Sequence, residues 1–392
     1  MPVSIRQVCI AFLFQLAPTL LLASLALSRT WQVQADGSGD APTIQAGIDS
    51  AATGDTVLVC PGSFHEAIDF QGKSITVRSS SGPDQSIIDG SGLMTYAVVV
   101  FQSGETRNTI LEGLTVTGGQ RGVLVWESSP TIVANIITGN DGVPGGAGIW
   151  CSASNIDVGP WSPLIARNVV TGNTATNICG GIGTWHRMTP EILDNEISGN
   201  VAMNGDGGGL YVRGIAGDNG TVVRGNVIED NLAGDHGGGC YAGSAQFGST
   251  LFFELSWNII SGNTANGREG TGDSGGGVWI WETDAWLHHN TIVGNEGHGS
   301  EFPNGGGMVI MRPGTPIIEQ NIIAFSQSGG GIFCDGPATP IIRNNLAWQN
   351  SPADGVGRCP DWWMADGNIV ADPYFCDYEM GDFSLAEDSP AI

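Results

Sequence analysis

Basic residues are scarce in this chain. Lys73 is the single lysine, and Lys plus Arg number 14 against 39 Asp plus Glu, for a formal net charge of −25. Phosphate backbones are held by clustered Lys and Arg, so nucleic acid is excluded as a partner. Long apolar runs are also lacking. One occurs, Val8 to Leu25, preceded by Arg6 and followed by the small-residue site Ser24-Leu25-Ala26. That is the layout of a secretory leader over residues 1–26, with an uncleaved membrane anchor as the alternative. No later run could span a bilayer, so the mature chain is expected to be soluble, exported and monomeric. Cys9 leaves with the leader. The seven cysteines that remain show no C-x-x-C spacing, which removes the usual zinc patterns. Cys359 with Cys376 is the expected disulfide and Cys151 with Cys179 a further option, while Cys240 and Cys334 read as buried thiols. A helical 3.6-residue apolar period is almost missing as well.

What is abundant is glycine, 61 residues, and a returning asparagine. The pattern N-x-[IVLA]-x-x-N occurs at Asn135–Asn140, Asn168–Asn173, Asn195–Asn200, Asn226–Asn231, Asn258–Asn263, Asn290–Asn295 and Asn345–Asn350, with a degenerate copy at Asn321–Ser326. The first asparagines recur every 24 to 33 residues. A period in this range means one structural unit stacked many times. Short β-branched runs between Gly and Asn turns make that unit a coil of about three strands. In Thr189 to Arg213, "TPEILDN", "EISGN" and "GGLYVR" read as strands, with "VAMNGDG" as a loop. Asn195 is expected to make its turn by adopting the left-handed conformation itself. Stacked asparagines should form a ladder of side-chain amides, a structural role without chemistry.

The ends depart from the repeat. Pro42, a shared face of Ile44, Ile48 and Ala51, and Gly54 mark a short helix that could plug the open end of a solenoid. The expected organisation is a leader (1–26), an N-terminal cap with first coils (27–100), repeats (101–350) and a C-terminal cap (351–392).

"TIQAGIDSAATGDTVLVCPGSFHEAIDFQGKSITVRS", "VVVFQSGETRNTILEGLTVTGG" and the repeated "SP-[TL]-I-x-x-N…GGG" units resemble bacterial secreted right-handed parallel β-helix proteins of the pectate-lyase-like superfamily. The terminal "DPYFCDYEMGDFSLAEDSPAI" resembles the segment that closes such helices. The resemblance implies an all-β, single-stranded parallel β-helix, with a ligand cleft beside one sheet and its loops. It also implies a C-terminal secretion or anchoring module beyond Ile392. It does not imply an activity, because the superfamily holds lyases, hydrolases, esterases, epimerases and non-catalytic surface proteins.

Aligning the strands on their glycines gives "GAGIWCS" (146–152), "GIGTWHR" (181–187), "GGGLYVR" (207–213), "GGGCYAG" (237–243), "GGGVWIW" (275–281), "GGGMVIM" (305–311) and "GGGIFCD" (329–335). Alternation turns the fifth column outward. It holds Trp150, Trp185, Tyr211, Tyr241, Trp279, Val309 and Phe333. The seventh, also outward, holds Ser152, Arg187, Arg213, Gly243, Trp281, Met311 and Asp335, with Trp126 joining it. Exposed aromatic rings suit sugar faces, so Trp150, Trp185, Tyr241, Trp279 and Trp281 are candidate saccharide contacts. The alternative is that loops cover the stripe as a second core.

Loops before the glycines carry Asp206, Asp235 and Asp273, one or two residues ahead of successive triplets. Stacked carboxylates repel unless a cation intervenes, which suggests Ca²⁺; solvated Asx turns are the alternative. Only Asp335 offers a carboxylate on the outward columns, which counts against a hydrolase. For β-elimination at a uronate, Arg187 and Arg213 in adjacent coils would bind the carboxylate, and His236 or Tyr211 would take the proton. Surface salt bridging to the loop acids is the other reading of the arginines. His186 is expected to point inward. The sequence therefore supports an extracellular, acidic polysaccharide as ligand, with a lyase favoured over a glycoside hydrolase if the chain is an enzyme. A non-catalytic, adhesin-like solenoid is the second class.

Overall fold

Each coil is built from three-residue strands whose middle residue is apolar and whose ends are polar or turn residues. The computed structural model describes residues 28–154, 159–214, 219–245, 252–267, 274–299, 305–335, 338–357, 359 and 366–392. The expected leader lies outside them. Among the described residues the strands stack into parallel sheets of 12, 11 and 12 strands. The first begins with Thr30–Val33 and Thr56–Val59. The second contains Val123–Trp126, Leu210–Gly214 and their equivalents, and is called the aromatic sheet below. The third contains Glu196–Ser198 and its equivalents. The fold is a parallel β-helix.

Stacking in register puts like on like. Ile165, Ile192, Val223, Leu255, Leu287 and Ile318 are neighbours along one inward column, all fully buried. Burying each such side chain contributes about 1.5–3 kcal/mol. The loop expected at "VAMNGDG" contains a further two-residue strand, Val201–Ala202, within a five-stranded parallel sheet. Central coils therefore carry four strands.

Two asparagine ladders flank the third sheet. In the first, Asn168, Asn195, Asn226, Asn258, Asn290, Asn321 and Asn345 each donate from Nδ2 to the Oδ1 of the next, at 2.9–3.0 Å, ending on Asn368. Each Oδ1 also accepts the main-chain N–H of the preceding asparagine, as Asn258 does from Asn226 at 2.9 Å. The second ladder breaks at Ser326, whose buried hydroxyl has no hydrogen-bond partner among the described residues. The asparagines do not supply the left-handed turn. The residue before each one does: Arg167, Asp194, Gly225, Trp257 and His289 have φ between 54° and 69°. The asparagine then satisfies the main-chain groups that the bend exposes.

The helix Ile44–Ser50 closes the N-terminal end, with Ile44 and Ile48 buried. The next coils hold both its ends. Glu66 accepts the N–H groups of Ile44 and Gln45 at 2.8 and 2.9 Å, and Lys73 Nζ donates to the carbonyls of Ile48, Asp49 and Ala51. At the other end an antiparallel hairpin, Phe375–Asp377 with Asp382–Leu385, packs Tyr378 on Phe325.

The disulfide is Cys334–Cys359, with Cα atoms 4.9 Å apart, and not Cys359–Cys376. Strand Gly355–Gly357 pairs beside Ile332–Asp335 and sets Gly357 against Cys334, so Cys359 arrives over Cys334 two residues later. Cys376 is free and exposed on the hairpin. Cys151 and Cys179 are both free: Cys151 belongs to the inner core and Cys179 to an apolar cluster on the outer face of the sheet. Cys240 is a buried thiol, as expected.

Candidate functional site: a histidine between two aspartates on the aromatic sheet

Strand register decides which side chains share a column, and it differs from the glycine alignment in one coil. Trp150 pairs with Gly183, Gly183 with Tyr211, and Trp185 with Arg213. Cys179 takes the first glycine's place there, with φ of 61°. The aromatic column therefore runs Trp150, Gly183, Tyr211, Tyr241, Trp279, Val309, Phe333. Trp185 belongs to the seventh column. Arg187 lies past the strand end, where its carbonyl accepts from Trp161, so it is not the neighbour of Arg213. His186 does not point inward either. It sits at φ 59° after the strand, its ring between the Trp185 indole and the Ala153 carbonyl.

The stripe is largely covered. Tyr211 and Trp279 are each 1% exposed, and Tyr241 is 6% exposed. With Cys179, Val309, Met311 and Phe333 they form a second apolar core outside the helix wall, and half-buried Trp150, Trp185 and Trp281 make its rim. The Tyr211 and Tyr241 rings stack at 5.0 Å, and Trp185 stacks on Tyr211 at 6.0 Å. Tyr241 and Trp279 thus cannot offer open faces to a sugar. Tyr211 is also removed as a base: burial pushes its hydroxyl far above the ordinary tyrosine range, against the pull of Arg213.

Arg213 and His236 remain together. A recess of about 200 Å³ is lined by Asp206, Arg213, His236, Tyr241, Ser244, Trp279, Trp281 and Glu282. His236 lies on the Trp279 indole, centroids 4.0 Å apart. Its Nδ1 is 2.7 Å from Asp206 Oδ1, and its Nε2 is 3.3 Å from Asp235 Oδ1. Ligand atoms of Asp206, Asp235 and His236 all lie within 4.8 Å of one another. Asp273, grouped with them in the sequence, lies outside the described residues. Arg213 spans the apolar rim, with its guanidinium 5.0 Å from the Trp185 ring and its Nη1 donating to Tyr211 at 3.3 Å. Its Nε is buried without a hydrogen-bond partner among the described residues.

The coil spacing brings these groups together. Main-chain bonds from Gly207 to His236 and from Asp235 to Gly205 lock successive loops in step, so equivalent loop positions stack. The arrangement offers one imidazole and two carboxylates beside a cationic guanidinium. It can hold a cation or orient an anion. Ser244 and Glu282 were not legible as site residues. Glu282 follows Trp281 at φ 52°, and that left-handed turn carries it to the recess.

The sequence over residues 48–283, more than half of the 392, matches the family model described as periplasmic copper-binding protein (NosD). The chain belongs to this family. No curated protein matches it. Among solved structures, this NosD-family chain is similar to XylC in "the complex structure of XylC with xylose", at 10% identity and a TM-score of 0.50, covering 88% of this chain and 87% of that one. A pectin methylesterase from carrot aligns at 11% identity and a TM-score of 0.33, covering 88% of each chain. The PL6 family alginate lyase AlyGC aligns at 15% and 0.42, covering 92% of this chain and 55% of that one. The likeness to XylC concerns the fold, a right-handed parallel β-helix. No helix among the described residues is long and apolar enough to cross a membrane.

Proposed function

We propose that this chain is a secreted or periplasmic β-helix protein that binds a divalent transition-metal ion through Asp206, Asp235 and His236. The observation that carries the reading is the convergence of these three donors within 4.8 Å at the lip of the recess. The donor chemistry fits copper, the ion in the family's description. An imidazole with carboxylates suits Cu(II) or Zn(II), and Cu(II) binds such sets most tightly of the first-row divalent ions. Ca²⁺ prefers six to eight oxygens, so one imidazole and two carboxylates serve it less well. The ion would supply positive charge at the recess. His236 gives it one nitrogen, and the Trp279 face fixes the ring.

Isothermal titration with Cu²⁺, Zn²⁺ and Ca²⁺ tests this. His236→Ala and Asp206→Asn are expected to weaken Cu²⁺ binding at this site tenfold or more. Unchanged binding in both variants would sink the reading.

A second reading, an acidic polysaccharide, is favoured by Arg213. Its Nε has no hydrogen-bond partner among the described residues, and half-buried Trp281, two coils on, lines the same recess. A glycan array with and without Cu²⁺ or Ca²⁺ tests it, with ultraviolet absorbance followed for an unsaturated product. Binding that survives Arg213→Ala and Trp281→Ala would refute this reading. Absorbance would add lyase activity.

A further inference from the structure

On the outer face of the first sheet, "WLHHN" (286–290) sets two histidines side by side. On a straight strand, neighbours point to opposite faces. Here Leu287 points into the core and Trp286 and His288 point out. His289 then adopts φ 55°, and this bend swings its ring onto the side of His288. The two Nδ1 atoms share a hydrogen bond at 2.9 Å, with the rings at 82°, and a metal ion would take the place of its proton.

We infer that His288 and His289 form a second metal site, a two-nitrogen chelate for a divalent transition-metal ion, Cu(II) foremost. It does not depend on the recess at His236. Two nitrogens each about 2.0–2.1 Å from one ion, at roughly a right angle, are about 2.9 Å apart. Imidazole pairs select copper, zinc or nickel and not Ca²⁺ or Mg²⁺. Both rings are held in place. Trp286 stacks on His288 at 4.0 Å, and Trp257 of the preceding coil stacks on His289 at 4.2 Å and 13°. Trp257 is 59% exposed and left-handed, at a position where other coils carry Gly225, Gln320 or Asn344. An exposed indole in a strained conformation is costly, and its contact here is the His289 ring. His288 Nε2 lies 3.5 Å from Glu254 Oε1, and Glu254 is anchored by Arg224 and Ser256 at 2.7 and 2.8 Å. At 3.5 Å this is a charge contact and not a hydrogen bond, and a carboxylate on that side of a ligating histidine favours a proton on Nε2, which leaves Nδ1 to the metal. Two protein ligands leave the ion's other positions to water or a partner's donors.

The test is Cu²⁺ titration with electron paramagnetic resonance on the full chain. His289→Asn keeps the left-handed turn, since Asn344 occupies that place in a later coil. It is expected to lose one equivalent of Cu²⁺ and the hyperfine pattern of two equivalent nitrogens. His236→Ala is expected to keep that pattern. Glu254→Gln should weaken this site about tenfold or more. Copper stoichiometry and spectrum unchanged in His289→Asn would overturn the inference while leaving the His236 reading standing. Loss in His289→Asn with no effect of His236→Ala would support it and refute the His236 reading.

Discussion

At the residue scale the asparagine ladder shows what one side chain can carry. Asn258 accepts both the N–H and the Nδ2 of Asn226, and donates to the carbonyls of Val223 and Ser256 and to Asn290. Asn258→Ala strands these buried groups, at about 1–3 kcal/mol for each one left without water. A total loss of about 3 kcal/mol is expected in denaturant unfolding. Ser326 offers the reverse. Asparagine there would reconnect Asn295 to Asn350, and Ser326→Asn should stabilise by about 1 kcal/mol. A fall in stability would mean that the break in the ladder is required by packing. The thiols give a second check. Burial pushes Cys151 and Cys240 up to about 12 and Cys179 further still. Thiolate is the reactive species, so a disulfide reagent at mild pH should label Cys376 quickly and half-buried Cys60 slowly. Cys151, Cys179 and Cys240 should react only after unfolding. Fast labelling of Cys179 in the native chain would contradict the covered aromatic core.

At the element scale the coil was legible and its register was not. Short β-branched runs, paired asparagines and glycine triplets declare a stacked unit, because each coil must repeat the same bends to keep its inward column apolar. The glycines then misled the alignment at residues 179–185. There Cys179 performs the first glycine's turn, and "GIGTWHR" slides two positions. That shift separated Arg187 from Arg213 and moved Trp185 out of the aromatic column. Alternation predicted which face Tyr211, Tyr241 and Trp279 take, but it says nothing about what lies over them. The loops decide that, and loop length carries little information about where a loop rests. The recess was half-legible for the same reason. Asp206, Asp235 and His236 stood out by type and stacking, whereas the turn that aims Glu282 leaves no mark in sequence. The glycine bend can be tested directly. The second place of the triplet admits Ala147 in one coil, but the third is glycine in all seven aligned coils. A Cβ on Gly239 would lie 2.6 Å from the Gly277 carbonyl oxygen and 3.0 Å from Asn263 Nδ2. Neither can retreat without parting the coils. Gly239→Ala should cost about 3 kcal/mol, measured by thermal unfolding. A cost below about 1 kcal/mol would show the coils to be softer than their hydrogen bonding implies.

At the scale of the whole molecule, a stack of coils holds each layer only through its neighbours, so its ends should open first. At the N-terminal end one carboxylate ties the first strand to the chain after the cap helix. Asp55 accepts the main-chain N–H of Arg29 at 2.7 Å, that of Ala52 at 2.9 Å and the Trp31 indole at 3.2 Å. Those bonds, the one from Arg29 foremost, hold its carboxyl below the usual aspartate range although burial opposes them. A depressed native pKa contributes stability that is fully present above the unfolded value, about 3.9, and is lost as pH falls through the native one. Acid should therefore loosen the first strand and the cap helix before the central coils. Pepsin, active at such pH, should cut within residues 28–60 first as pH drops below about 4. Asp55→Asn should abolish that pH dependence. Lys73→Ala serves as the contrast, because it removes the donor to three carbonyls at the helix end and should weaken the cap by about 1–3 kcal/mol at every pH. First cuts in the coils around residues 190–345, or an unchanged acid profile in Asp55→Asn, would show that the cap is not where this solenoid begins to open.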